Sequence, residues 1–307
     1  MTAVDAGALV ADVAPRPRGP RRLGNALTAY GLVAPNMALL GLFVFVPLVD
    51  AVVISFQRTT GFGGARFIGF ANYGTLFTDP VFWRATGNTV LFTAIVTPLS
   101  MAVGLGLAAL VNSALPARGL FRSILIIPMA VSGVATATLG GLVFDQNFGL
   151  LDELLRSVGL PAVTWQSGSV PAFVSIVVVT LWWRVGINML VYLAGLQGLD
   201  EQLREAAMLD GAGPVQRFRY VVLPALRPTS FFLVIMNVIY SFQAFDIIYV
   251  LTGGGPRNAT SLLVTYAYDT GFVTRDQGYA AAIGMVLLLF TAAFTALRWQ
   301  LGRGRDA

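Results

Sequence analysis

Apolar residues run in six long stretches, separated by shorter segments that carry the glycines, prolines and charges. The stretches are Tyr30 to Phe56, Thr89 to Val111, Ser123 to Phe144, Ala172 to Gln197, Pro228 to Thr252 and Tyr279 to Trp299. Each reaches the roughly 20 residues that a helix needs to cross about 30 Å of hydrocarbon. The pattern therefore predicts an all-α polytopic membrane protein of six transmembrane helices. Pro128, Gly133 and the Gly140-Gly141 pair interrupt the third stretch, and Pro228 opens the fifth. Such breaks are tolerated in a membrane where neighbouring helices satisfy the freed backbone groups.

Between the spans, two segments exceed connecting length: Gln57 to Asn88 and Asp145 to Pro171, the latter with a short amphipathic helix expected over Leu150 to Val158. The first contains Phe70, Tyr73, Phe77 and Trp83, which suit either an interfacial aromatic belt or a protein docked at that face. Residues 1–28, with Arg16, Arg18, Arg21 and Arg22 among prolines and glycines, read as a disordered tail. Residues 29–301 form the six-span domain, and 302–307 a second tail. The first apolar run is too long for the core of a cleaved leader.

Arginine distribution sets the orientation. With the N-terminus inside, the cytoplasmic pieces hold 13 of the 20 basic residues, the outer loops hold Arg58, Arg66, Arg84, Arg156, Arg257 and Arg275, and Arg184 falls within a span. Both termini and the segment 200–224 are then cytoplasmic.

Composition removes most chemistry. Apolar residues make up 56% and charged residues 11%, with a mean hydropathy of +0.73, against about 25% charge in soluble domains. Cysteine and histidine are absent, so thiol nucleophiles, disulfides, imidazole bases and histidine-ligated metals are excluded. Every basic residue is arginine. Without lysine there is no phosphate-binding loop ending in Gly-Lys-Ser/Thr and no Schiff-base chemistry. No catalytic or metal-ligating set is expected. The net charge of +5 follows the membrane flanks rather than forming a nucleic-acid face.

The densest polar signal lies between the fourth and fifth spans, at Glu205-Ala206-Ala207-Met208-Leu209-Asp210-Gly211-Ala212-Gly213 and on to Val221-Val222-Leu223-Pro224. Asp200 to Ala207 favour helix, Asp210 to Gly213 break it, and Pro214 suits the first turn of a second helix over Val215 to Val221. Gly211 allows a positive φ at the turn. The product is a helix-turn-helix elbow with a small-residue face at Ala206 and Ala207, shaped either as a solvated hairpin or as a surface that seats in a partner's cleft.

Glu-Ala-Ala, three residues, Gly, nine residues, an aliphatic residue, one more and Leu-Pro resembles the EAA loop of permease subunits in binding-protein-dependent ABC importers. Leu251-Thr252-Gly253-Gly254-Gly255-Pro256 with Thr260-Ser261-Leu262, and Gly278-Tyr279-Ala280-Ala281-Ala282, are similar to segments of the carbohydrate branch of that family, the subunit type of maltose and glycerol-phosphate importers. With Asn72-Tyr73, Asn88-Thr89, Phe121-Arg122 and Pro128, the likeness covers residue 28 to the end. It implies an ABC type I importer permease fold with a cytoplasmic coupling helix, in a bacterial or archaeal plasma membrane. It also implies a complex with a second, non-identical permease, two ABC ATPase subunits and an extracytoplasmic substrate-binding protein. ATP and magnesium would be bound by the ATPases and no cofactor by this chain. Glu205, Ala206, Ala207, Asp210, Gly211, Ala212 and Gly213 would form the ATPase contact. Amino-acid and phosphate permeases carry a related elbow, so a permease for another small polar solute stays open.

Two polar stripes share a depth within the membrane. Thr180, Arg184 and Asn188 follow each other at i, i+4, i+8, with Trp182 and Trp183 beside them, and Asn237, Tyr240, Ser241 and Gln243 lie on the fifth span. Arg184 costs from about 2.5 kcal/mol upward to bury in lipid. It therefore faces protein or water, either paired with Asp246 or helix carbonyls, or touching substrate. Thr180, Trp183, Arg184, Asn188, Asn237, Tyr240, Ser241 and Gln243 are the candidate substrate contacts, with rings to stack on sugar faces and amides and hydroxyls for sugar hydroxyls. A membrane phosphatidyl-transferase would need clustered aspartates that are missing here. An ion-coupled secondary transporter would need intramembrane carboxylates or a repeat, and no convincing repeat is found.

Overall fold

The computed structural model describes residues 22–61, 63–113 and 117–303. Most of the two expected tails lies outside the described residues. Residues 22–28 differ from the expected tail: the first helix already begins at Arg22, where Leu23, Ala26 and Leu27 favour helix over coil. At the other end the last helix runs to Arg303.

Met1–Asp50 is one compact unit and Ala51–Ala307 another. The first contains α1 (Arg22–Leu40), a π-helical turn over Gly41–Phe45, and the start of α2 (Val46–Ser55). Tyr30–Ser55 has a mean hydropathy of 2.6 and the length of a span.

In the second unit the end of α2 leads into β1 (Gln57–Arg58) and β2 (Arg66–Phe67), an antiparallel pair with Gln57 opposite Phe67. The sequence pattern did not predict this pair. Two bonds fix it in place, because the Asn72 amide donates to the carbonyls of Ser55 and Gln57. Then follow α3 (Ala71–Thr78), α4 (Pro80–Asn112), α5 (Arg118–Ala130), α6 (Gly133–Val143) and α7 (Leu150–Ser157), the amphipathic helix the pattern predicts. The chain continues through α8 (Ser169–Gln197), α9 (Glu201–Leu209), α10 (Pro214–Arg217), a π-helical stretch over Phe218–Val222, and α11 (Leu223–Ala225). The last elements are α12 (Arg227–Gln243), α13 (Asp246–Thr252), α14 (Leu263–Tyr268), a π-helical turn over Asp269–Val273, and α15 (Gln277–Arg303).

Four single helices are long and apolar enough to cross a membrane, and two bent pairs bring the number to six among the described residues. The third expected span is the pair α5 and α6, which meet at 102°. Pro128 sits in the last turn of α5, and the Ser132 hydroxyl caps α6 by accepting from the Ala135 N–H at 3.3 Å. That cap replaces the hydrogen bonds a continuous helix would have made.

The fifth expected span, Pro228 to Thr252, is also divided. It stops at Gln243, Ala244 is extended, and α13 is a separate helix. At its other end α12 meets the helical run Pro214–Ala225 at 65°.

The core lies where α4 runs along α8, with Phe92, Val96, Ile176 and Val179 buried between them and Ile247 and Ile248 of α13 closing the same cluster. A second cluster joins Met189, Tyr192 and Leu193 of α8 to Leu226 and Leu233. The helices approach closely at Gly104, where a Cβ would lie 2.6 Å from the Asn188 Cβ. Small residues at such crossings bring backbones together where lipid supplies no hydrophobic drive.

Candidate functional site

The elbow projects from the end of the bundle where α8 ends and α12 begins. Asp200 caps α9, its carboxylate accepting from the Gln202 N–H at 2.9 Å. Gly211 ends that helix at φ +78°, with its own N–H on the Met208 carbonyl at 3.1 Å and the Ala212 N–H on the Ala207 carbonyl at 3.0 Å. This is the Schellman arrangement, which closes the last carbonyls and turns the chain sharply. Gly213 then starts α10, its N–H held by the Gln216 side chain at 2.9 Å, with Pro214 in the first turn. The second helical run extends past the expected Val215–Val221 to Ala225, through the π-helical stretch.

Glu205, Ala206 and Asp210 are exposed, while Ala207, Ala212 and Gly213 are half-buried. Ala207, Asp210, Gly211 and Ala212 line one open depression with Gln216 and Arg217. Two large apolar side chains flank it, Leu209 at 90% and Val215 at 79% exposure.

The polar stripes of the two spans meet. Asn188 on α8 and Asn237 on α12 are 0% and 1% exposed and bond reciprocally, Asn237 Nδ2 donating to Asn188 Oδ1 at 2.7 Å and Asn188 Nδ2 to Asn237 Oδ1 at 3.3 Å. The same Asn237 oxygen accepts from Ser100 Oγ and Arg184 Nη2, each at 3.4 Å. Ser100 on α4 was not among the predicted residues; its sequence signal is the series of hydroxyls Thr89, Thr93, Thr97 and Ser100 at helical spacing in an apolar run.

The Arg184 guanidinium sits 4.1 Å above the Tyr240 ring, a cation–π contact that replaces part of its lost hydration. Trp183 packs against the same ring, with centroids 5.5 Å apart, and donates to the Val131 carbonyl at the α5–α6 break. Asp246 is placed elsewhere. Beyond the break at Ala244 its carboxylate lies against Gly133, where a built Cβ would be 2.7 Å from Oδ2. Thr180 and Ser241 are fully buried, and their hydroxyls, with Arg184 Nε, have no hydrogen-bond partner. Gln243 is exposed at the end of α12. The arrangement thus separates into a sealed amide pair and a half-buried face formed by Trp183, Arg184 and Tyr240. Among the described residues no cluster of three carboxylates could hold a metal.

On the side of the membrane opposite the elbow, Asp79 caps α4 and ties three elements together. Its carboxylate accepts from the hydroxyls of Tyr266 and Tyr279, the latter at 2.6 Å, and from the Val81 N–H at 2.8 Å. Burial opposes ionisation of Asp79, but the hydroxyl and backbone donors together hold it below its ordinary value. Burial and the Asp79 carboxylate push the Tyr266 phenol up to about 12. The Asp79-Pro80 pair is a helix-start signature that sequence inspection could have used. Of the aromatics nearby, Phe70, Phe77 and Trp83 are exposed, whereas Tyr73 turns in to meet the Ser55 hydroxyl at 2.7 Å.

Residues 100–304, which include the elbow and the amide pair, match the family described as binding-protein-dependent transport system inner membrane component. The chain belongs to this family. Among its relatives, this family member is 35% identical over 286 residues to the sulfoquinovosyl glycerol transport system permease protein SmoG of Agrobacterium fabrum, covering 92% of this chain and 93% of the relative. It is 35% identical over 275 residues to the sn-glycerol-3-phosphate transport system permease protein UgpA of Yersinia pestis, covering 88% and 92%. Among solved structures, a chain of a bacterial ABC transporter involved in the import of the acidic polysaccharide alginate superposes with a TM-score of 0.82 at 21% identity, over 92% of this chain and 97% of that one. The inner membrane component thus has the ABC type I importer permease fold.

Proposed function

We propose that this chain is the translocation subunit of an ATP-driven importer for a sugar or sugar derivative, without catalytic activity of its own. It would work with a second, non-identical permease, two ABC ATPase subunits and an extracytoplasmic substrate-binding protein. Family membership supplies the class, and the substrates named for its relatives support the sugar reading. The absence of lysine leaves nucleotide and magnesium to the ATPases. Arginine bias supports a plasma-membrane orientation with both termini and the elbow in the cytoplasm.

The observation that carries the proposal is the elbow. Glu205, Ala206, Ala207, Asp210, Gly211, Ala212 and Gly213 lie on a capped, protruding hairpin continuous with α12 through a bend of 65°. A rigid hairpin joined to a span transmits motion: a small displacement by a closing ATPase tilts α12 and the polar face it carries. Trp183, Arg184 and Tyr240 are then the groups best placed to meet substrate, with Gln243 at their edge. Thr180, Asn188, Asn237 and Ser241 back that face from the buried side.

The test is Gly211→Pro in the reconstituted complex. It removes the N–H that bonds to Met208 and imposes a negative φ on a residue at +78°. ATP-driven uptake should fall by at least tenfold while the purified ATPases keep their own hydrolysis. Unchanged uptake would remove the elbow from the mechanism.

A further inference from the structure

Hydroxyls buried in a helix commonly donate to a carbonyl one turn back, and on α4 Thr89, Thr93 and Ser100 do so, at 2.8, 2.7 and 3.1 Å. Thr97, between them, does not. Its hydroxyl is buried without a hydrogen-bond partner, as are those of Thr180 on α8 and Ser241 on α12, together with Arg184 Nε. Helix register brings these four donors together. Gly104 of α4 lies against Asn188 of α8, which bonds to Asn237 of α12. Counted from that level away from the elbow, Arg184 and Ser241 each lie four residues on, and Thr97 and Thr180 seven and eight. At 1.5 Å per residue they form two pairs at matching depths, about one turn apart. Thr180 shares its helix face with Arg184 and Asn188, Ser241 shares its face with Asn237, and Thr97 precedes by one turn the Ser100 hydroxyl that reaches Asn237.

Charge is the second observation. The Arg184 guanidinium meets the Asn237 amide oxygen and the Tyr240 ring. Asp246 acts electrostatically on Tyr240, but no carboxylate among the described residues acts on Arg184. An arginine within a membrane pairs with an opposite charge or faces water. Ordered water would satisfy the three hydroxyls and leave the charge uncompensated, whereas an oxyanion does both, since it only accepts and all four groups can donate. We propose that the imported sugar derivative is anionic, its phosphate, sulfonate or carboxylate held by Arg184 Nε and the hydroxyls of Thr97, Thr180 and Ser241 while its ring lies on the face of Trp183 and Tyr240. The proposal rests on the reading of this chain as a sugar importer's permease. Ser241 and Tyr240 ride on α12, the span joined to the elbow, so displacement of α12 opens and closes the site. A neutral sugar on the same face would leave the guanidinium without a counter-charge.

The test uses the complete complex in lipid nanodiscs, its ATPases saturated with magnesium ADP, and radiolabelled sulfate as the probe. Sulfate should bind saturably, and Arg184→Gln should weaken that binding by at least about tenfold. Thr180→Val, which keeps the side-chain shape and removes one donor to the anion, should weaken it by about tenfold, and Arg184→Lys, which keeps the charge, should bind better than Arg184→Gln. Glucose 6-phosphate should displace sulfate at lower concentration than inorganic phosphate does, and Tyr240→Leu should cut that advantage by about fivefold, the loss of one stacking partner. Glucose should not displace it. Absence of sulfate binding that depends on Arg184 overturns the proposal, as does binding indifferent to Thr180→Val. Equal displacement by glucose 6-phosphate and phosphate would mean an adventitious ion only, and displacement by glucose would mean a neutral site; either overturns it. ATP-driven uptake by the unaltered complex is measured in liposomes alongside: if it persists while Arg184-dependent binding is absent, only the anionic substrate falls, and if uptake is absent, the importer reading falls.

Discussion

Replacing Asn237 with leucine tests whether the paired amides clamp the bundle or meet the ligand. The substitution conserves most of the volume but removes the side-chain donor to Asn188 Oδ1 and the shared acceptor of Ser100 and Arg184. Asn188 keeps its bond to the Arg184 carbonyl at 3.0 Å, so one amide oxygen is left without a partner in a site that is 0% exposed. An unpartnered buried polar group costs about 1–3 kcal/mol, whereas interhelical hydrogen bonds in membrane proteins average about 0.6 and reach about 1.7 kcal/mol. Asn237→Leu should therefore destabilise the chain by about 1–2 kcal/mol, as should Asn188→Leu. The double variant should lose less than the sum, by about 0.6–1.7 kcal/mol. Unfolding in detergent micelles followed by tryptophan fluorescence measures all three. Additive losses would refute the clamp, as would unaltered stability together with a changed substrate preference, since the amides would then serve the ligand.

Two further substitutions probe the frame. Asp79→Asn should flatten the acid limb of the stability curve: a carboxyl held below its ordinary value of 3.8 stabilises the fold above that value, and the contribution disappears as pH falls through the folded value. Acid titration of unfolding in both proteins checks this, and identical acid limbs would show that the tyrosine contacts do not favour the ionised form. Gly104→Leu places a side chain where even a Cβ would be 2.6 Å from Asn188; overpacking of about 1–3 kcal/mol should lower the thermal midpoint, and an unchanged midpoint would mean that α4 and α8 can separate freely.

The spans were legible in the sequence because membrane insertion leaves a long-range composition signal, and Gly211 and Pro214 were legible because their backbone demands are local. Neither kind of signal reports which side chains meet. The stripe Thr180, Arg184, Asn188 and the stripe Asn237, Tyr240, Ser241 could be drawn on two helices, but not that Asn188 and Asn237 would seal each other while Arg184 covered Tyr240. The alternative that paired Arg184 with Asp246 is not realised, for a related reason. It assumed that one helix continued through Ala244, whereas the chain breaks there and carries Asp246 to Gly133.

The two breaks also explain why this bundle holds a polar face at all. A continuous helix satisfies every backbone group and offers a membrane only its side chains. At Val131 the helix ends early, and Trp183 takes up the freed carbonyl. At Ala244 the second break turns the chain and brings Asp246 against the start of α6, at Gly133. A carboxylate beside a helix N-terminus is favourably placed, and the contact ties the two broken spans together. Trp183 joins this junction to Tyr240 and the Arg184 guanidinium above it. On the proposed reading, motion at the elbow would reach the polar face through α12 and pass on to α6 by way of α13.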